Sequence, residues 1–274
     1  PEARAQGRDA LKRFGDFKVS SNSDAASPRV ALAADFDADG YQDLLVAHND
    51  RVVFHKGNIN AFAPQTEEAW EAIRDRRFVS PFESETRSTA APAAVDFIFS
   101  GDFNRDGRLD AVIAARGDRF LYLLEGDGAG NFPNMSRVET AGEITALAAG
   151  DVNRADGLTD LIVVVRRAEG FGLQIYSGLG DIFTAESLNY NLPAQAQAIA
   201  VGQLNENEYV DIAVGTDTEV IILSGSDKSQ PSEMQRLPLS VSVKSLVAGD
   251  LMPDRDNRAE LALLTKDGSV RILK

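Results

Sequence analysis

Acidic side chains recur at alternate positions in a short stretch near the start of the sequence, Asp35 to Asp43. A hard divalent cation binds six to eight oxygen atoms. A loop of the form D-x-D-x-D-G-x-x-D supplies them from side chains one, three, five and nine and from carbonyl seven, and it bends at glycine six. The stretch therefore predicts a calcium loop whose ligands are Asp35, Asp37, Asp39, the backbone carbonyl of Tyr41, and Asp43.

A second stretch, Asp102 to Asp110, keeps every one of these positions. Its predicted ligands are Asp102, Asn104, Asp106, the backbone carbonyl of Arg108, and Asp110. The alternative is a metal-free turn, since Asp, Asn and Gly also cluster wherever a chain reverses. Two nearly matching copies favour metal binding over that alternative.

Three later loops depart from the pattern. The third is one residue longer, and its predicted ligands are Asp151, Asn153, Asp156 and Asp160. The fourth, residues 203–211, keeps only Asp211 as a charged candidate, so its amides are expected to bond within the turn. The fifth, residues 250–260, carries Arg255 and Arg258, which can neutralise its carboxylates without a metal. We therefore predict two to three calcium ions.

The segments that flank the loops predict strands. An EF-hand needs flanking helices and a Glu at position twelve, where this sequence has Val46 and Ile113. Short apolar runs rich in β-branched residues precede and follow each loop instead. The loops begin at residues 35, 102, 151, 203 and 250, a repeat length typical of propeller blades. The predicted fold is all-β: a five-bladed β-propeller with four-stranded antiparallel blades and one helical insertion.

The predicted propeller is a single domain over residues 1–274. Its segments are a lead-in at 1–14, a closing strand at 15–21, blade one at 30–60, an insertion and outer strand at 61–92, and blades two to five at 93–141, 142–192, 193–240 and 241–274. Outer strands are predicted at 132–140, 182–190 and 232–239. The closing strand would pair beside residues 269–274, which would complete the last blade and remove two exposed strand edges.

The insertion contains an amphipathic segment, Thr66 to Phe78. It predicts a helix of about three turns that Thr66 caps. Ala69, Trp70 and Ile73 would share one face. We expect Trp70 to close the rim of the propeller; if it is exposed, it becomes the best candidate for contact with a partner or a sugar.

The repeats resemble the FG-GAP/VCBS family, whose blades form integrin α-subunit propellers and occur in many bacterial secreted proteins. The resemblance covers about residues 30–274 and rests on the stretches 33–46, 100–112 and 124–132. It implies that each acidic loop joins the innermost strand of a blade to the second, and that its cation is mainly structural. The family includes adhesion domains, lectin-like proteins and non-catalytic modules beside enzymes, so the resemblance indicates a fold more than an activity.

The sequence gives little support for catalysis. His48 and His55 are the only histidines, and we expect both to be surface residues near a hairpin. No G-x-S-x-G motif occurs, and the acidic residues are accounted for by the loops. The glycines between Gly126 and Gly130 lack the spacing of a dinucleotide loop and predict a hairpin turn.

Composition limits the partners. The net charge of −14 argues against binding to nucleic acid or to anionic membranes, and the chain has no cysteine. The leading prediction is a non-enzymatic, calcium-stabilised propeller for binding or adhesion that presents protein- or carbohydrate-binding surfaces, as a monomeric domain of a larger protein. The alternatives are a lectin-like or glycan-active domain of a larger secreted enzyme, and a purely structural scaffold. Such calcium loops suit an extracellular, periplasmic or cell-surface location, without direct membrane insertion.

Overall fold

The structure is a computed structural model that describes residues 28–152, 156–178, 187–227, 230–252 and 258–274. In these residues the chain forms five antiparallel sheets, numbered I to V in chain order. Sheets I to IV have four strands each and sheet V has three. The all-β prediction is therefore confirmed, and the arrangement is propeller-like.

The strands follow one another in each sheet in chain order, so each is hydrogen-bonded to the next. Sheet I consists of β1 Val30–Ala34, β2 Asp43–Ala47, β3 Arg51–Gly57 and β4 Phe82–Ala90. Sheet II consists of β5 Phe97–Gly101, β6 Asp110–Ala114, β7 Phe120–Glu125 and β8 Asn134–Glu139. Sheet III consists of β9 Glu143–Gly150, β10 Asp160–Arg167, β11 Gly170–Tyr176 and β12 Leu188–Leu192. Sheet IV consists of β13 Ala196–Gly202, β14 Asp211–Thr216, β15 Glu219–Ser224 and β16 Ser232–Pro238, and sheet V of β17 Val243–Gly249, β18 Glu260–Thr265 and β19 Val270–Leu273.

The middle strands of the sheets are buried on both faces. All five residues of β6 are buried, for example, and they form one uninterrupted apolar run after Asp110. The outer strand β8 is mostly exposed. This difference follows from layering, because a strand that has sheets on both sides needs apolar side chains on both faces, whereas an outer strand meets water.

Four hydrophobic clusters fill the spaces between consecutive sheets. In the first cluster, the ring of Phe36 meets Phe54 and Phe132 edge to face, with centroid distances of 6.5 and 5.7 Å. The innermost strands β1, β5, β9, β13 and β17 stand next to one another in that order. Each sheet therefore packs face to face on the next, with its first strand on the inner side.

Closure of the ring stays a prediction. The predicted closing strand, 15–21, and the lead-in, 1–14, lie outside the described residues. Within the described part of the chain, sheet V ends at β19 and lacks a fourth strand. Its apolar side chains Val247, Val270 and Ile272 are exposed.

The insertion holds two short helices, α1 Ile59–Phe62 and α2 Glu67–Arg74. The predicted cap is confirmed, because the Thr66 hydroxyl accepts the Ala69 N–H at 3.2 Å. The predicted length and buried face of the helix are wrong. The helix ends at Arg74, and Trp70 is 49% exposed, whereas Ala69 and the small Ala72 are buried. Among the described residues, no helix is long and apolar enough to cross a membrane.

Candidate metal centre

Loop one connects β1 to β2. The two carboxylate oxygens of Asp35 accept the N–H groups of Asp39 and Gly40, at 3.1 and 2.9 Å. Asp39 in turn accepts the N–H of Tyr41 at 2.9 Å. Gly40 has a φ of 88°, a conformation that glycine adopts without strain. This coiling brings one carboxylate oxygen each from Asp35, Asp37 and Asp39 to within 4.8 Å of one another.

Asp37 shows whether a cation fits this loop. Its side chain is only 10% exposed, and its Oδ1 atom is buried with no hydrogen-bond partner in the described part of the chain. A buried carboxylate oxygen without a partner is costly, and a calcium ion coordinated by oxygen would satisfy it. The donor set of loop one therefore fits a hard divalent cation.

Lys56, at the end of β3, is a site residue that the sequence analysis missed. Its Nζ donates to Oδ2 of Asp39 at 2.6 Å and also contacts Asp37. Although burial disfavours the charged ammonium, hydrogen bonds and charge from these two aspartates raise the pKa of Lys56 above its ordinary value. The side chain thus places one positive charge beside the carboxylates that would bind a metal.

Loop two repeats the backbone pattern of loop one. Asp102 accepts the N–H groups of Asp106 and Gly107, at 3.0 and 2.9 Å. Asn104 Oδ1 also accepts the Asp106 N–H at 3.0 Å, so the first three predicted ligands lie together. The backbone carbonyl of Arg108 is a predicted ligand, and the exposed guanidinium of the same residue donates to Asp106 at 2.7 Å.

Loop three accommodates its extra residue without losing this pattern. Asp151 accepts the N–H groups of Asp156 and Gly157, at 3.3 and 2.7 Å, and Asp156 accepts that of Leu158 at 3.0 Å. Asp156 therefore takes the place that Asp39 holds in loop one. The predicted ligand Asn153 lies outside the described residues.

The last two loops differ from the first three. In loop four, the Asn205 side chain donates to Asp211 at 2.9 Å, and the Gln203 side chain donates to the Asn207 carbonyl at 2.7 Å. The amides thus bond within the turn, as predicted. In loop five, residues 253–257, including Arg255, lie outside the described part of the chain, and Arg258 reaches Glu206 of loop four at 3.8 Å.

The acid at the ninth position of the motif, or its counterpart in the longer loops, is buried in all five loops: Asp43, Asp110, Asp160, Asp211 and Glu260. Each accepts the N–H of the residue that follows the first position of its loop, at 2.8 to 3.1 Å: Phe36, Phe103, Val152, Leu204 and Leu251. In the first four loops, the second oxygen accepts the N–H of a glycine at or just after the end of the third strand, at 2.7 to 3.0 Å: Gly57, Gly126, Gly178 and Gly225. We call this acid and its glycine the latch. The predicted ligands Asp43, Asp110 and Asp160 thus bind backbone amides with both oxygens.

The latch explains why glycine follows the third strand. A Cβ atom on any of the four latch glycines would lie 2.0 to 2.7 Å from the carbonyl oxygen of the residue before the latch acid. Such a contact is shorter than any real one, so a side chain would push the third strand away from the loop.

Burial raises the pKa of Asp43 and Asp211 and raises that of Asp110 to about 6, even though backbone hydrogen bonds oppose the shift.

The prediction that both histidines are surface residues is wrong. His55 is buried in β3, and His48 is buried just after the end of β2. His55 lies opposite Leu44 in the β2–β3 pair, and its ring is 6.4 Å from that of Phe82. Burial lowers the pKa of His55, and the charge of nearby His48 lowers it further. The apolar surroundings of sheet I thus favour the neutral ring.

The fold and loops define a propeller-like protein built from repeated sheets with acidic inner loops. Residues 102–163 match the family model of the FG-GAP-like repeat, which confirms the resemblance over loops two and three. The chain thus carries an FG-GAP-like repeat. No curated protein sequence matches the chain.

Solved structures with a similar fold include two crystal structures of BBS1N in complex with ARL6DN. The one soaked with mercury has a TM-score of 0.54 at 13% identity, over 90% of this chain and 63% of that chain. The one soaked with lead has a TM-score of 0.57 at 13% identity, over 91% of this chain and 66% of that chain. The chain thus spans slightly less than two thirds of these relatives, and at this identity the likeness concerns the fold alone.

Proposed function

We propose that the chain is a calcium-stabilised, propeller-like scaffold that binds a protein partner and is not itself an enzyme. The observation that carries this proposal is the buried, unpartnered Oδ1 of Asp37 within a cluster of three carboxylates. The backbone pattern of that loop recurs in loops two and three, so the chain offers two to three equivalent places for calcium.

Calcium in this scaffold would be structural. Asp35, Asp37 and Asp39 would hold the ion in loop one, Asp102, Asn104 and Asp106 in loop two, and Asp151 and Asp156 in loop three. The ion supplies positive charge, which offsets repulsion among carboxylates in a chain with a net charge of −14. Because the latch holds the loop to the third strand, an ion that orders the loop would also stabilise the sheet.

The insertion is the best candidate surface for a protein partner. Trp70 and Ile73 lie three residues apart on α2 and are both about half exposed, and Phe78, beyond the end of α2, is exposed as well. The exposed ring of Phe62 stacks on Tyr41 of loop one, with a centroid distance of 6.2 Å. An exposed apolar helix face suits a protein partner, because it offers area without a cavity. The occurrence of a similar fold in the BBS1N complex with ARL6DN agrees with this use.

A carbohydrate-binding, lectin-like role is the second candidate, because a half-exposed Trp70 can stack on a sugar ring. Calcium loops of this kind suit millimolar calcium, so we also propose an extracellular, periplasmic or cell-surface location. We propose in addition that residues 15–21 add a fourth strand beside β19, which would cover the edge that sheet V exposes.

Thermal unfolding with calcium and with a chelator tests the scaffold proposal. We expect the unfolding temperature to rise in millimolar calcium and to fall when the chelator removes the ion, because only the folded loops bind it. Magnesium at the same concentration is the control, since it prefers a smaller and more rigid octahedral shell. An unfolding temperature that does not respond to calcium would refute the metal proposal.

A glycan array tests the partner class. We expect the unchanged chain to bind no glycan through Trp70, so that Trp70→Ala loses no glycan binding on the array. Glycan binding that Trp70→Ala abolishes, with unchanged unfolding temperature, would replace the protein-binding proposal by the lectin-like one.

A further inference from the structure

A basic region lies at the ends of the strands that are opposite the acidic loops. Two adjoining cavities of about 390 and 380 Å³ open there and share Glu143 and Arg166 in their lining. Five basic side chains line them, against the single carboxylate of Glu143: Arg116, Arg119, Arg166, Arg167 and Lys244. We call this region the basic groove.

The basic groove and the acidic loops lie at opposite ends of the strands. Glu143 begins β9, whose other end, Gly150, leads into loop three. Arg166 lies near the end of β10, whose first residue, Asp160, closes loop three. A ligand in the groove is therefore separated from the proposed calcium sites by the length of the strands.

Several of these cations are held in place by the fold. The Arg116 guanidinium donates to the Thr145 carbonyl and lies over the ring of Phe97, 4.8 Å from its centroid. Arg167 donates to Asn189 at 2.9 Å, and its Nε is buried without a hydrogen-bond partner among the described residues. Such fixed guanidinium groups lose little side-chain freedom when they bind a carboxylate.

The other cations of the basic groove differ in how far they are neutralised. Arg166 pairs with Glu143, and Arg119 pairs with Glu139 at 3.3 Å. Lys244 is exposed and has no ion-pair partner within the described part of the chain. The groove thus has unneutralised positive charge, although acidic residues outnumber basic ones by 42 to 28 in the whole chain.

We propose that the basic groove binds an acidic peptide segment of a partner protein, with peptide carboxylates against Arg116, Arg166 and Lys244. This inference rests on the proposed protein-binding function and names the chemistry of the partner. Two adjoining cavities suit successive side chains of an extended segment, and the amides of Gln195 and Gln197 can bond to its backbone.

Fluorescence polarisation with a labelled, capped hexaglutamate peptide tests this proposal, with hexaglutamine as the matched neutral peptide. We expect binding of hexaglutamate alone, weakened by salt and equal in calcium and in chelator. Lys244→Gln should weaken binding about tenfold, because it removes one charged contact, and Lys244→Glu should weaken it further. Arg236→Gln, which removes the same charge from the exposed strand β16, should leave the affinity within about twofold.

Four results would overturn the proposal. These are equal binding of the two peptides, equal losses in Lys244→Gln and Arg236→Gln, binding of hexaglutamate only in calcium, and binding of oligogalacturonate in place of hexaglutamate. The third would move the peptide to the acidic loops, and the fourth would make the ligand an acidic glycan. None of the four alters the calcium response of the unfolding temperature, so this inference and the scaffold proposal can fail separately.

Discussion

Loops one and two follow the same acidic motif, with Asn104 in place of Asp37, and they also differ in the residue that stands just before the latch glycine. That residue is Lys56 in loop one and Glu125 in loop two. The Lys56 ammonium contacts Asp37 and Asp39, whereas Glu125 is an acidic residue that accepts a hydrogen bond from the Asn134 side chain at 3.3 Å. The third strand therefore adds a basic residue beside loop one and an acidic residue beside loop two.

The equivalent position in loop four supports this comparison. Ser224 stands just before Gly225, and its hydroxyl accepts hydrogen bonds from the side chains of Asn205 and Asn207, both at 3.1 Å. The residue before the latch glycine thus contacts its loop through a charged side chain in loop one and through a neutral side chain in loop four. A residue outside the acidic motif thus contributes to the electrostatics of loops one and four, while the latch is common to the first four loops.

The largest effect is expected from breaking the latch, and loop four allows this without a change in a proposed metal site. Asp211→Asn replaces an oxygen that accepts a backbone N–H by an amide that donates. We expect the free energy of unfolding to fall by about 2 kcal/mol, because a buried donor loses its partner. Chemical denaturation should show the same loss with calcium and with chelator. Glu208→Gln, at an exposed position of the same loop, is the control, and an equal loss in both variants would contradict the latch.

The next effect comes from giving loop one the type of residue that loop two has just before the latch glycine. Lys56→Glu removes the ammonium that faces Asp37 and Asp39. We expect the calcium affinity of loop one to rise about tenfold, because the ion no longer competes with a tethered cation. Calorimetric titration measures this change, with Lys244→Glu as the control for the same charge change far from the loops. An unchanged affinity would mean that Lys56 does not limit the site.

The reverse exchange, Glu125→Lys, should give a smaller effect in loop two. Glu125 has not been placed among the predicted ligands, and its carboxylate bonds to Asn134. A lysine there brings a positive charge towards Asp102 and Asp106, so we expect the calcium affinity of loop two to fall about fivefold. Glu139→Lys, on the exposed outer strand β8, is the matched control. If both variants lose the same affinity, only net charge matters and the local comparison fails.

The smallest effect concerns pH. His55 occupies the place that Leu124 holds in sheet II, two residues before the latch glycine. Its folded pKa is lowered, so the contribution of the neutral ring to stability is present above the ordinary value of 6.5 and is lost as pH falls through the folded pKa. We expect His55→Leu to reduce the loss of unfolding free energy between pH 7 and pH 5. An identical pH profile for the variant and the unchanged chain would show that the pKa of His55 is the same in the folded and unfolded states.

Much of the fold was predictable, because the repeats place apolar runs at regular distances from acidic loops. The runs after Asp43, Asp110 and Asp160 are strands β2, β6 and β10, as their β-branched composition indicates. The outer strands were predicted less well: residues 132–140 proved to be Asn134–Glu139, and the second candidate, 182–190, to be Leu188–Leu192 among the described residues. Outer strands are half exposed and therefore carry a weak sequence signal.

The candidate site was only partly predictable. The motif identified Asp35, Asp37 and Asp39, because their spacing follows local chain geometry. Lys56 and the latch glycines could not be found in the same way, since they come from a strand paired 14 or more residues later and depend on register. A glycine at or just after the third strand of the first four repeats was the available signal, and the contact with the latch acid explains it. Trp70 was misplaced because the helix buries small alanines instead of its largest apolar side chain.

The central claim is that acidic loops of one motif bind calcium with affinities that the third strand adjusts. Calorimetric titration of calcium into the metal-free chain, and into Lys56→Glu, tests it most directly. We expect two to three bound ions per chain, with one binding step about tenfold stronger in the variant. No bound calcium at millimolar concentration in a folded chain, or identical titrations of the two proteins, would contradict it.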